Sequence, residues 1–155
     1  MPITTGSKAP SFTLPDQNNA KHSLKDYIGK YVLLYFYPKD MTPGCTIEAQ
    51  IMSKNIKEFE KYNTIVLGVS VDSCERHKKF EEKEKLAFTL LSDEDKVVVG
   101  KYGIWREKSM FGKKYMGAAR ESFLIDPKGI IIKHYEKVNP LTHTKVVIED
   151  LKTLV

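Results

Sequence analysis

The stretch that decides the fold is YVLLYFYPKDMTPGCTIE, residues 31–48. Its first part is apolar on both faces and rich in residues that favour strands, which predicts a central strand covered on two sides. Pro38 ends this strand because proline cannot extend a ladder of backbone hydrogen bonds. A helix is expected to follow, with Thr42 as its N-cap and Pro43 in its first position. Its predicted apolar face consists of Ile47, Ile51, Ile56 and Phe59.

This prediction places Cys45 in the first turn of the helix. Free backbone N–H groups and the positive end of the helix dipole lie at such a position, and both favour a thiolate over a thiol. Because the thiolate is the nucleophilic form of cysteine, the placement is typical of a reactive residue. The alternative interpretation is a small buried hydrophobic residue, which is what most free cysteines are.

Two blocks of sequence carry a resemblance to a known family. Pro38, Thr42 and Cys45 follow the order P-x-x-x-T-x-x-C, which resembles the active-site signature of the peroxiredoxins. The later block GAARESFLID, residues 117–126, is similar to the peroxiredoxin Q, or bacterioferritin-comigratory, branch. The likeness extends from Gly6 to the last predicted helix. It implies a thioredoxin-like fold and a peroxidase that uses a cysteine thiolate.

The order of predicted elements agrees with this fold class. Residues 64–71 form a second buried strand, and a strand, a crossover helix and a strand of this length make a right-handed parallel unit. Residues 12–16 and 22–24 predict two short strands beside the main sheet. Residues 122–125 and 130–135 predict a β-hairpin around a Pro-Lys-Gly turn. We therefore expect an α/β, thioredoxin-like fold, with a central mixed sheet flanked by helices and an N-terminal β addition.

The remaining segments predict helices, one short strand and one loop. A charged helix is expected over 75–85 and a strand over 88–91. Residues 92–95 are expected to cap a helical piece whose inward residues are Val97, Val98 and Tyr102. A closing helix over 141–154 is expected to bury Val147, Leu151 and Leu154. Residues 103–117 are expected to form a semi-ordered loop that either lines the active site or fills the end of the core.

The composition bounds the class of protein. A chain of 155 residues with 41% hydrophobic and 29% charged residues suits one globular domain, 1–155. The net charge of +5 does not indicate a nucleic-acid partner, because no recognised binding motif is present and the basic residues of 74–85 alternate with acids. The N-terminus lacks the pattern of a signal peptide and no apolar stretch approaches bilayer length. We therefore expect a cytoplasmic address and no membrane partner.

Other residues of the expected site depend partly on the family resemblance. Arg120 opens the strand predicted to pair beside the central one, yet from the residues alone a surface ion pair is the favoured interpretation. The resemblance implies an essential arginine at this position, whose fork could hold both the thiolate and a peroxide oxygen. The Thr42 hydroxyl is expected to donate toward the sulfur or the peroxide while its oxygen accepts from the helix start, or to serve as an N-cap only. Pro38 is expected to exclude water.

Two further residues complete the predicted site. Glu48 is expected to orient an arginine, either Arg120 or Arg106. Cys74 departs from the family pattern, in which a resolving cysteine stands five residues after the peroxidatic one or further along the following charged helix. It could still form a disulfide with Cys45 if the first helical turn unwinds, and otherwise an external thiol would resolve the sulfenic acid.

The sequence thus predicts a thiol-dependent peroxidase that reduces hydrogen peroxide and small organic hydroperoxides through a sulfenic acid on Cys45. Thioredoxin, glutaredoxin or a small thiol is the expected reductant, and the protein is expected to be a monomer or weak homodimer. No cofactor is expected, and no metal either, because the four histidines show no ligand spacing. Two alternatives remain: a thioredoxin-like disulfide exchanger, although its C-x-x-C pair is missing, and a non-catalytic binding or holdase protein that uses residues 105–116.

Overall fold

The computed structural model describes residues 3–154 and is built on a five-stranded mixed sheet. The strands are, in chain order, β1 (Thr13–Pro15), β2 (Lys21–Ser23), β3 (Tyr31–Phe36), β4 (Thr64–Ser70), β5 (Thr89–Ser92), β6 (Trp105–Met110), β7 (Lys113–Ala118), β8 (Glu121–Ile125) and β9 (Ile131–Tyr135). The helices are α1 (Pro43–Lys54), α2 (Ile56–Lys61), α3 (Cys74–Glu84), α4 (Val97–Lys101) and α5 (His143–Leu154). A single 3₁₀ turn covers Leu24–Tyr27 within these residues.

The predicted fold class is confirmed by the order and direction of the strands. The central sheet runs β5-β4-β3-β8-β9, with β3, β4 and β5 parallel and β8 and β9 antiparallel to their neighbours. The short pair β1-β2 forms the expected N-terminal addition, and β6-β7 makes a third small sheet. The carboxyl ends of β3 and β4 therefore lie at one edge of the central sheet, where active sites of open α/β sheets are usually found.

Strand β3 is central because both of its faces are covered. Leu34 and Phe36 pack into the core on the side of β1 and α4, whereas Leu33 and Tyr35 pack into the core on the side of α1, α3 and α5. The aromatic ring of Tyr35 lies directly over Gly68 of β4, its register partner. A Cβ atom at position 68 would lie 2.9 Å from that ring, so the close packing of these two strands requires glycine.

The predicted long helix after Cys45 is two helices, α1 and α2, that meet at Asn55. The side-chain amide of Asn55 donates to the carbonyl of Ile51 at 2.8 Å and so satisfies one of the last carbonyls of α1. The predicted apolar face is wrong at its start, where Ile47 is exposed, whereas Ile56 packs against the core and Phe59 is buried, as predicted. The face that α1 buries consists instead of Cys45, Glu48, Ala49 and Met52.

The expected semi-ordered loop over 103–117 is mostly a regular antiparallel hairpin, formed by β6 and β7. Its two-residue turn has positive φ at both Phe111 (53°) and Gly112 (77°), as in the hairpin turns that match the twist of strands. Phe111 at this turn is 96% exposed. The sequence did not reveal the turn because phenylalanine is an unusual residue for a left-handed conformation.

Two smaller expectations need correction. Val97 points outward and Val99 takes its place in the core beside Val98, because α4 begins after a left-handed residue at position 96. The Asp93 carboxylate caps this helix by accepting from the backbone N–H of Val99 at 2.8 Å, so the predicted capping segment does contain the cap. In α5, Val147 and Leu151 are buried as expected but Leu154 is largely exposed.

Among the described residues, every helix is too short or too polar to span a bilayer.

Candidate active site

The site begins in the loop that connects β3 to α1. Thr42 is the N-cap of α1 with extended backbone angles, and Pro43 occupies the first helical position. Cys45 therefore lies in the first turn of the helix, as predicted, and is only 2% exposed. Its sulfur is held at the carboxyl edge of the sheet, beneath the loop rather than on the surface.

Arg120 is brought to Cys45 by the pairing of two strands. It directly precedes β8, and the register of β8 on β3 pairs Glu121 with Phe36, the last residue of β3. The guanidinium consequently reaches the start of α1, where its Nη2 donates to the Cys45 sulfur at 3.3 Å. Its Nη1 donates to Oε1 of Glu48 at 2.7 Å. One arginine fork thus bridges the thiol and a carboxylate.

Glu48 is a fully buried carboxylate with a single ionic partner among the described residues, Arg120. Burial raises its pKa to about 7, and the positive charge and hydrogen bond of Arg120 oppose that rise. Its second oxygen, Oε2, has no hydrogen-bond partner within residues 3–154. Arg106, the other arginine that Glu48 was expected to orient, instead pairs with Glu121 at 2.5 Å.

The charge of Arg120 is maintained by its two partners. Burial lowers its pKa, but the Cys45 sulfur and the Glu48 carboxylate raise it by more, so the net change is upward. The same guanidinium acts on His143, whose pKa falls to about 4, chiefly because of burial and also because of Arg120. His143 is therefore neutral at pH 7, and its Nε2 lies 2.8 Å from the Ser122 hydroxyl oxygen. Arg120 is therefore the cation that donates a hydrogen bond to the Cys45 sulfur.

Thr42 is placed as predicted but its hydroxyl has a different partner. Its Oγ1 donates to the backbone carbonyl of Lys39 at 2.8 Å and accepts no hydrogen bond from the start of α1. The expectation of a side-chain N-cap bond is therefore wrong. Because the hydroxyl proton is directed at Lys39, the oxygen lone pairs remain available to a donor in the cleft beside it.

Gly44 makes room for the arginine. A Cβ atom at this position would lie 3.1 Å from Nη2 of Arg120, the same nitrogen that donates to Cys45. This role of Gly44 was not predicted from the sequence. The signal for it was the glycine itself, because a glycine in the first turn of a helix allows a neighbouring group to approach the backbone closely.

A cleft of about 980 Å³ opens beside these residues. One side is formed by the loop residues Pro38, Lys39, Thr42 and Gly44, together with Val71 and Arg120. The other is formed by the β6-β7 hairpin, which contributes Trp105, Lys108, Met110, Phe111, Lys113, Lys114, Tyr115, Met116, Gly117 and Ala118. Of the two alternatives for the 103–117 segment, the first therefore applies: the segment is a wall of the cleft, although it is a hairpin.

Lys108 is a further cation on this cleft, and it could not be singled out from the sequence because lysines are abundant in the chain. Its Nζ donates to the backbone carbonyl of Ala118. Burial lowers its pKa and the positive charge of Arg120 lowers it further, whereas the Cys45 sulfur raises it. Lys108 thus contributes to the field at the thiol from the hairpin side.

Cys74 stands at the first position of α3, behind the N-cap Ser73. Burial raises the pKa of its thiol, the charges of Glu94 and Asp16 add to the rise, and a hydrogen bond with Ser92 opposes it. Both cysteines are free thiols. Cys74 therefore occupies an acidic environment, in contrast to the arginine-bound environment of Cys45.

Comparison with known proteins shows the family to which the chain belongs. The model of the AhpC/TSA family matches residues 5–134. The chain belongs to the AhpC/TSA family. Peroxiredoxin Bcp of Escherichia coli strain K12 is 47% identical over 151 residues, which cover 97% of each chain. Peroxiredoxin Bcp of Bacillus subtilis strain 168 is 43% identical over 154 residues, covering 99% of this chain and 98% of the relative.

Solved structures agree with the assignment of the chain as a peroxiredoxin. A cysteine-to-serine mutant of Xylella fastidiosa PrxQ superposes with a TM-score of 0.94 at 31% identity, over 99% of this chain and 98% of that one. The bacterioferritin comigratory protein of Xanthomonas campestris, studied for its alkyl peroxide reduction activity, gives a TM-score of 0.87 at 34% identity, over 92% and 91% of the two chains. The resemblance to the peroxiredoxin Q branch is thereby confirmed for this peroxiredoxin.

Proposed function

We propose that this peroxiredoxin reduces hydrogen peroxide and small organic hydroperoxides, with Cys45 as the peroxidatic nucleophile. The observation that carries the proposal is the bridge that Arg120 makes from the Cys45 sulfur to Glu48. A cation beside a sulfur favours its thiolate form, and it also stabilises the negative charge that develops on the peroxide oxygens during attack. The adjoining cleft is lined by Arg120, so a hydroperoxide in it would lie beside the guanidinium that donates to the sulfur.

The reaction is a displacement at oxygen. The Cys45 thiolate attacks one peroxide oxygen, a sulfur–oxygen bond forms, and the oxygen–oxygen bond breaks. The electron pair of the broken bond leaves with the second oxygen, which takes up one proton and departs as water or an alcohol. Cys45 is thereby oxidised to a sulfenic acid while the peroxide is reduced.

The neighbouring residues have separate roles in this proposal. Thr42 accepts a hydrogen bond from the hydroperoxide O–H, since its own proton is donated to Lys39. Arg120 binds the oxygen on which charge develops, and Glu48 holds its guanidinium in position beside the sulfur. Pro38 lines the cleft with no hydrogen-bond donor, so it limits the approach of water to the sulfur.

Two routes can return Cys45 to the thiol. In the first, an external thiol such as thioredoxin, glutaredoxin or a small thiol attacks the sulfenic acid, the sulfur–oxygen bond breaks and water leaves. A second thiol then reduces the resulting disulfide. In the second, Cys74 makes the first attack after the first turn of α1, which carries Cys45, unwinds. We propose that the whole chain, residues 1–155, works as one domain in the cytoplasm, as a monomer or weak homodimer, with no metal or cofactor in the cycle.

The position three residues after Cys45 argues against a disulfide exchanger. Such an enzyme requires a second cysteine there, and this chain has Glu48, bound to Arg120. A non-catalytic binding protein would have no need for an arginine bound to a buried thiol. Both alternatives are therefore less well supported than peroxide reduction.

Mass spectrometry after one equivalent of hydrogen peroxide tests the proposal. The reduced protein is oxidised without reductant in the presence of a sulfenic-acid trap, and the peptides that contain Cys45 and Cys74 are identified. We expect rapid modification of Cys45, as a trapped sulfenic acid if an external thiol is the resolving partner or as a Cys45–Cys74 disulfide if Cys74 is. The Cys45→Ser variant should lose all turnover, and a Cys45 that stays reduced in the wild type would refute the proposal.

A further inference from the structure

Asp40 lies in the loop that connects β3 to α1 and is completely buried. Its backbone N–H donates to Oδ2 of Asp72 at 2.9 Å, and its backbone carbonyl accepts from Nη2 of Arg76 at 3.1 Å. Its carboxylate accepts from the Tyr37 hydroxyl at Oδ1 and lies against Nδ1 of His77 at Oδ2, each at 2.5 Å. Every polar group of this residue is therefore paired inside the protein.

The partners of Asp40 are themselves fixed. The Nε2 of His77 lies 2.9 Å from the carbonyl oxygen of Leu91 in β5, and because a carbonyl only accepts, Nε2 carries a hydrogen. Nδ1 of His77 and Oδ2 of Asp40 share a second hydrogen, in the contact of 2.5 Å between them. Asp72 is held in turn by the Ser70 hydroxyl at 2.6 Å. The network ties the loop to β4, β5 and α3 through paired buried groups, and such networks rigidify their surroundings.

The same loop presents its other side to the cleft. Pro38, Lys39 and Thr42 line the cleft, whereas Tyr37 and Asp40 are directed into the core. The chain changes side at Met41, which has a positive φ of 63°. A residue other than glycine persists in this conformation only where the flanking structure holds it. On one flank of Met41 is Asp40, and on the other is the N-cap of the helix that carries Cys45.

We propose that Asp40 is a positioning residue for peroxide reduction, one that fixes the loop so that Thr42 and Cys45 face the peroxide together with Arg120. The inference rests on the proposed function, because it concerns the geometry of that reaction. Asp40 touches neither the sulfur nor the cleft, so its effect is transmitted through the backbone of residues 40–42. Neither the family signature nor the spacing of the sequence assigns it this role.

The test compares two reactions of the same thiol in the full-length reduced protein. The first is oxidation of Cys45 by hydrogen peroxide, which requires the aligned site, and the second is its alkylation by iodoacetamide, which requires only an accessible thiolate. Asp40→Ala should lower the peroxide rate constant by roughly 10- to 100-fold, the effect of a small displacement of reacting groups, and leave alkylation within about threefold. Both rates are measured by quenching and by mass spectrometry of the Cys45 peptide.

The conservative variant Asp40→Asn should restore the peroxide rate to within about threefold of the wild type. Its amide oxygen can accept from Tyr37 and its amide N–H can donate to Nδ1 of neutral His77. Asp16→Ala is the matched control, because Asp16 is also a buried aspartate bound to a histidine: its Oδ2 lies 2.7 Å from Nε2 of His22, whose Nδ1 lies 2.6 Å from the Tyr27 hydroxyl. This control should leave the ratio of peroxide to alkylation rates unchanged.

Three results would overturn the inference: a wild-type ratio in Asp40→Ala, no recovery in Asp40→Asn, or an equal fall in Asp16→Ala. If Asp40→Ala does not fold, Tyr37→Phe removes one of its hydrogen bonds without a cavity and should lower the ratio about threefold or more. An unchanged ratio in Tyr37→Phe would then overturn it. A wild-type Cys45 that peroxide does not oxidise would instead refute the proposed function itself.

Discussion

Replacing Glu48 by glutamine is expected to change stability and activity in opposite directions. Burial raises the pKa of Glu48 from its ordinary 4.5 to about 7 in the folded protein. The unfolded chain therefore releases this proton more readily than the folded one, and stability falls as the pH rises from about 4.5 to about 7. A difference of roughly 2.5 pKa units, at 1.36 kcal/mol for each, amounts to about 3 kcal/mol.

Glu48→Gln removes this ionisation while its amide oxygen can still accept from Arg120. We expect the free energy of unfolding of the variant, relative to that of the wild type, to increase by about 3 kcal/mol between pH 4.5 and pH 8. Peroxide oxidation of Cys45 should slow by roughly threefold to tenfold, because a neutral acceptor holds the guanidinium less firmly than a carboxylate does.

Urea unfolding at several pH values, followed by the fluorescence of the single tryptophan, Trp105, measures the stability difference. The rate of Cys45 oxidation is measured on the same samples. Glu60→Gln, on the exposed face of α2, serves as the control and should leave both quantities close to the wild type. Parallel stability curves for the wild type and Glu48→Gln across this pH range would refute the reasoning, since they would show that ionisation of Glu48 has no net cost.

Three further outcomes follow from the site. Arg120→Lys should slow the peroxide oxidation of Cys45, measured by stopped flow, by on the order of 10²-fold, because the point charge of a lysine cannot bridge Cys45 and Glu48. A rate near that of the wild type would show that Arg120 has no role in the reaction. Gly44→Ala should displace Nη2 of Arg120 and slow the peroxide oxidation of Cys45 about tenfold, with the free energy of unfolding unchanged. Gly100→Ala is the control and should leave the rate unchanged, because a Cβ atom there meets nothing within 4 Å. If Cys74 resolves the sulfenic acid, formation of the Cys45–Cys74 disulfide should accelerate as the pH rises, because the raised pKa of the Cys74 thiol keeps it protonated at neutral pH. Mass spectrometry measures the rate of disulfide formation. A rate independent of pH would exclude Cys74 as the attacking thiol.

The parts of the fold that were predicted correctly depend on local patterns. The apolar run of β3, its end before Pro38 and the start of α1 at Thr42 follow from residues adjacent in sequence, as does the hairpin of β8 and β9. The β6-β7 hairpin was missed because strands with lysines on both faces have no alternation and its turn uses Phe111 in a conformation typical of glycine.

The site shows the same division between local and long-range information. The signature located Cys45 and Thr42, but the buried face of α1 could not be read from apolar periodicity because it includes the charged Glu48. A buried carboxylate is recognised only when its partner is known, and Arg120 is distant in the sequence. Asp40 was missed for the same reason, since His77, the partner of its carboxylate, is 37 positions away in α3.

The distance along the chain between Cys45 and Arg120 has a consequence for biosynthesis. The two residues that meet at the sulfur are separated by 75 positions, and they approach each other only after β8 has inserted between β3 and β9. Long-range strand pairing is slow compared with the formation of a local helix. A chain that is still emerging or folding therefore has a cysteine without its cation, so competence to react with peroxide arises at the end of folding and reports that the sheet is complete.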